Sequence, residues 1–135
     1  MTTAYTHLLD DADTVLRSAS RGPWSRTSAF LLRKALESCV REFWRRTQPG
    51  MECCRMRTQL LCLAQYVDGA TARRAFGAWA ALSAACHYHG YELNPTADEL
   101  RALHDEVRVV AERLHPAGAS LDSESPAMRT GLGRI

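Results

Sequence analysis

The chain has 135 residues, 46% apolar and 24% charged, with a formal net charge of +2. That is one domain's worth of chain with material for a real core. No apolar run approaches the roughly 18 residues of a membrane span, and no basic region followed by an apolar stretch marks a secretory signal.

The cysteines Cys39, Cys53, Cys54, Cys62 and Cys86 are odd in number and contain no CxxC. They do not make a disulfide framework, so a cytoplasmic protein with reduced thiols is expected. Charge is unevenly spread. Residues 21–57 hold nine Arg or Lys against three Glu, whereas residues 96–115 are acidic by two. A basic middle is either a polyanion-binding face or a solvated surface that pairs with acidic neighbours.

The periodicity is helical almost throughout. Tyr5, Leu8, Leu9, Ala12, Val15, Leu16 and Ala19 trace one face of a first helix over about 3–20, broken by Gly22-Pro23. Ser25 is the expected N-cap of a long second helix running to about Thr47. Its apolar face is Ala29, Leu32, Leu36, Cys39, Val40 and Phe43. Pro49-Gly50 ends it. A third helix is predicted over about 51–68, with Cys53, Met56, Leu60, Leu63, Ala64 and Val67 inward and Gly69 as its stop. A fourth is predicted over about 71–89, with the stripe Ala72, Ala75, Phe76, Trp79, Leu82, Ser83 and Cys86. The fifth opens on Thr96-Ala97-Asp98-Glu99, a capping-box pattern, and continues through Leu100, Leu103, Val107, Val110 and Leu114.

From residue 116 onward Pro, Gly and Ser recur without periodicity, so a disordered tail over 116–135 is expected beside a bundle domain over 1–115. Short connections between amphipathic helices imply an all-α antiparallel bundle of about five helices.

The stretch "SAACHYHGYELNPTADEL", residues 83–100, carries two histidines. His87 lies four residues after Ser83 and His89 three after Cys86, so both border the apolar face at the end of the fourth helix. Unpaired carbonyls there favour a protonated imidazole, which makes helix capping one reading of the pair. A shared metal is disfavoured, because His-x-His on a helix sends the rings about 200° apart. No metal and no cofactor is expected, and no nucleophile elbow, phosphate loop or paired-carboxylate motif is present.

The segments "SAFLLRKALESCVREFWRR" (28–46) and "LSAACHYHGYELNPTADELRALHDEVRVVAERL" (82–114) resemble HEPN domains. These are all-helical nucleotide-binding and ribonuclease-like domains of prokaryotic defence and toxin systems. The resemblance covers roughly residues 5–115. It implies a homodimer that handles RNA or nucleotide, or serves a protein partner. In active members an arginine precedes a histidine by four to six intervening residues, on paired subunits. The histidine carries over to His87, or to His89. The arginine does not, because Ala80, Ala81, Leu82, Ser83 and Ala84 fill the required positions. The expectation is therefore a binding module without efficient catalysis. The alternatives are a metal-independent endoribonuclease using His87 or His89 with an arginine from another helix or subunit, and a protein–protein adaptor with no nucleic-acid role. One formal spacing match, Arg108 to His115, lies at the end of the fifth helix.

Trp24, Trp44 and Trp79 are expected mainly as packing residues. Trp44, beside Arg41, Arg45 and Arg46, is the expected surface aromatic. With Arg55 and Arg57 these make the candidate nucleic-acid-binding set, since arginine and aromatic rings together contact phosphate and base. Cys53-Cys54 beside Arg55 and Arg57 is a candidate for a low-pKa thiol.

Overall fold

The computed structural model describes residues 3–18, 24–87 and 94–116. They form five α-helices: α1 (Ala4–Arg17), α2 (Trp24–Thr47), α3 (Met56–Cys62), α4 (Gly69–Cys86) and α5 (Ala97–Leu114). Short 3-10 turns at Met51–Cys53 and Leu63–Gln65 flank α3, and no strand occurs among the described residues. The all-α reading holds. The tail expected over 116–135 lies outside the described residues except for Pro116.

α2 is the axis of the bundle, and the four other helices all pack on it. Its face Ala29, Leu32, Leu36, Cys39 and Val40 is fully buried, as the periodicity implied. Three pairs of cross-contacts fix the directions. Trp79 reaches Glu37, while Cys86 lines a concavity with Arg26, Thr27 and Phe30, so α4 runs antiparallel to α2. Arg113 reaches Thr71 and Arg74 pairs with Glu106, so α5 runs antiparallel to α4. His104 meets Leu9 and His115 meets Tyr5, so α5 is also antiparallel to α1.

Local chemistry explains where the elements depart from their expected bounds. Gly69 does not stop a helix. It opens α4, because the Asp68 carboxylate caps the helix by accepting from Thr71 N at 3.0 Å and Thr71 Oγ1 at 2.7 Å. The predicted third helix is split. Gly50 sits at φ +106°, a region other residues avoid. The buried Gln59 amide then donates to the carbonyls of Glu52 and Cys54, holding a turn before α3 begins. Cys53 is consequently exposed rather than inward. Ser25 is not a cap but a buried residue inside α2. α1 ends at Arg17 and α4 at Cys86. The capping box of α5 forms as expected: Thr96 Oγ1 accepts from Glu99 N at 3.1 Å, and Glu99 Oε2 accepts from Thr96 N at 3.3 Å.

Candidate functional site

Trp44 is completely buried (0% exposed), edge-on to Phe43 at 5.2 Å and to Tyr66 at 4.9 Å. The expectation of a surface aromatic is corrected. Phe43 and Trp44 both face inward, because a helix buried against four neighbours needs more than a narrow apolar stripe. The rings presented to solvent among the large apolar residues described are Tyr66, 50% exposed, and, on α2, Phe30, 45% exposed.

The candidate arginines separate. Arg46 turns toward α5, donating to Leu114 O at 3.2 Å and to His115 Nδ1. Arg57 lies 5.7 Å from the Phe76 ring centroid, and Arg55 is exposed just ahead of α3. Arg41 and Arg45 stay together on the outer stripe of α2, where the helical repeat joins them to Arg26, Phe30, Arg33 and Lys34. The sequence reading missed these last four, although the spacing of Arg26, Phe30, Lys34, Arg41 and Arg45 at four- and seven-residue intervals is visible in it.

One carboxylate organises this stripe. Glu37, 7% exposed, accepts from Trp79 Nε1 at 3.0 Å. Around it stand Arg33 at 3.7 Å, Lys34 at 3.9 Å and Arg41 at 3.9 Å. Three cations to one anion leave two positive charges in excess. Lys34 Nζ also lies 5.5 Å from the Phe30 ring centroid. At the α4 end a concavity of about 360 Å³ opens, lined among the described residues by Arg26, Thr27, Phe30 and Cys86. The antiparallel register sets Ser83 opposite Arg33. Arg33 Nε and Ser83 Oγ are both buried without a hydrogen-bond partner among the described residues. Burial pushes the Cys86 thiol up, against the pull of Arg33, so it is not an activated nucleophile.

His87 follows α4 as its C-cap residue, exposed. Its backbone N–H bonds to Ser83 O and Ala84 O, and its imidazole has no hydrogen-bond partner among the described residues. His89 lies outside the described residues. α2 brings Arg26 to this end of α4, where it lines one concavity with Cys86, the residue before His87.

The Arg108–His115 spacing match has another explanation. His115 Nε2 lies 3.0 Å from Cys39 O, and its Nδ1 meets Arg46. A carbonyl only accepts and a guanidinium only donates, so the ring is neutral with its proton on Nε2. Both nitrogens are occupied, and the ring stacks on Tyr5 at 5.3 Å. Arg108 pairs instead with Asp105 at 3.5 Å and Glu112 at 3.3 Å. A cleft of about 260 Å³ runs beside both residues, but His115 is a structural clasp. Burial pushes its pKa below the ordinary value and lifts the Cys39 thiol to about 12.

No family model, no curated protein and no solved structure matches this chain. Among the described residues no helix is long and apolar enough to cross a membrane, and no group of three or more metal-ligating side chains occurs.

Proposed function

We propose that the protein is a HEPN-like homodimeric module that binds single-stranded RNA or nucleotide through the basic stripe of α2 and does not cleave it efficiently. The observation that carries this reading is the convergence of Arg33, Lys34 and Arg41 on the single carboxylate of Glu37, beside an exposed Phe30 ring. Excess cations along one helix attract phosphates, and an exposed ring offers a face on which a base stacks. The HEPN-like and pairing parts of the reading rest on the sequence pattern.

Catalysis is the second reading, favoured by Arg26, which lines one concavity with Cys86 at the end of α4, where His87 stands. In it His87 moves the proton and an arginine of α2 meets the phosphate. Efficient cleavage needs both groups aimed at one phosphodiester, and no hydrogen bond from the described residues holds the His87 imidazole.

The test is fluorescence anisotropy with a labelled uridine oligomer, read with EDTA present. Binding is expected to weaken by about 10²-fold or more between 50 and 200 mM salt, as several phosphate contacts require. Lys34→Glu with Arg41→Glu should remove it, while Arg55→Glu should leave it nearly unchanged. Absence of binding at low salt overturns the reading. Cleavage of the oligomer that His87→Ala abolishes in a folded protein establishes the enzyme instead.

A further inference from the structure

Between α4 and α5 a trough of about 550 Å³ is lined by Ala70, Arg73, Gly77, Leu103 and Glu106, among others. A β-carbon at Gly77 would meet nothing within 4 Å. Small exposed residues continue the face along α4, at Ala81 and Ala84.

Arg73, Arg74 and Glu106 line this groove, and one of these charges is unmatched within the described residues. Arg73 has no carboxylate partner among the described residues, and its guanidinium folds back so that a β-carbon at Gly69 would lie 3.1 Å from Nη1. Glu106 gives Oε1 to Arg74 at 3.4 Å, and its other oxygen pairs with nothing described. Arg73 and Glu106 thus line one groove, opposite in charge, without meeting each other. A closed two-fold contact brings residue i of one copy to residue j of the other and j to i, so one such pair is satisfied twice.

We propose that this groove seats a second copy of the chain, α4 and α5 packing on the partner's α4 and α5 about a two-fold axis near Gly77, with Arg73 of each copy meeting Glu106 of the other. This inference rests on the homodimer reading above and names its surface. Glycine and alanine at the crossing let the two backbones approach closely. α4 and α5 have 18 residues each and are therefore about 27 Å long. Side by side they present a face approaching the roughly 800 Å² per partner of a standard interface. The pairing also leaves the α2 stripe uncovered, so each copy offers its own RNA face.

The test is sedimentation equilibrium of the full chain across micromolar to ~200 µM, spanning the weak-to-moderate range of such interfaces, with folding checked by circular dichroism. Wild type is expected at twice the 15.0 kDa chain mass. Arg73→Glu and Glu106→Arg should each weaken the dimer by about tenfold or more through like-charge contact. The double variant should regain it, because the exchanged charges pair again across the axis. Gly77→Arg, which needs no ion pair to act, should give monomer. A dimer unaffected by any of these substitutions overturns the proposed face and leaves the homodimer reading standing. A wild-type monomer at every concentration overturns both.

Discussion

Trp79 donates its indole N–H to Glu37 Oε2 at 3.0 Å, and this bond sets the register between α4 and α2. It also keeps a nearly buried carboxylate among three cations. Trp79→Phe keeps the ring and removes the donor, so it should cost about 1–2 kcal/mol in urea unfolding. Glu37→Gln keeps an acceptor for Trp79 and removes the anion. It should lower stability while tightening RNA binding several-fold, because the excess charge on the stripe rises by one. Weaker binding by Glu37→Gln would place the binding face elsewhere.

His115 gives a pH dependence with a definite sign. Its folded-state pKa is lowered, first by burial, while the unfolded ring titrates near 6.5. The folded protein therefore prefers the neutral ring. Its contribution to stability is full above pH 6.5 and is lost as pH falls through the folded-state value. Protonation would also place a positive ring against Arg46, which now donates to Nδ1. Thermal midpoints between pH 7.5 and 5 should fall for wild type, and the slope should flatten in His115→Gln. An unchanged slope in that variant would assign the dependence to another group.

Trp44 separates packing from surface roles. Its ring is fully buried, and its Nε1 has no hydrogen-bond partner among the described residues. Trp44→Ala should cost about 3–5 kcal/mol. Trp44→Phe should cost much less, because it also removes an unsatisfied buried donor, itself worth about 1–3 kcal/mol. Both are read from urea midpoints. A surface aromatic would change stability by less than about 0.5 kcal/mol in either case.

The parts of the fold legible in the sequence were those set by local pattern. Leu32, Leu36, Leu100, Val107 and Leu114 fall at helical spacing and are buried, and Thr96 with Glu99 forms its capping box. What was not legible depends on contacts distant in sequence or on side-chain competition. The break before α3 needs the Gln59 amide to outbid the helix for the Glu52 and Cys54 carbonyls. Trp44 and Phe43 look alike beside a row of arginines, and only the packing of α2 against four helices says that both turn inward. The candidate arginines divide between surfaces: Arg41 and Arg45 share the α2 stripe, whereas Arg46 is drawn to the end of α5 by Leu114 O and His115. That attraction links residues nearly 70 apart, which no local spacing records.

Two glycines with opposite constraints give the last prediction. Gly77 lies inside α4, where a β-carbon meets nothing within 4 Å. Gly50 has φ +106° in the turn after α2, also with open space around a β-carbon. Space is therefore not what distinguishes them; backbone conformation is. Gly77→Ala should stabilise the fold by about 1 kcal/mol, the difference in helix propensity. Gly50→Ala should destabilise it by about 1–3 kcal/mol, because an L side chain is strained at that φ. Urea midpoints at low protein concentration, where association does not contribute, measure both. Destabilisation by Gly77→Ala at that dilution would mean that something already packs on the α4 face within the single chain.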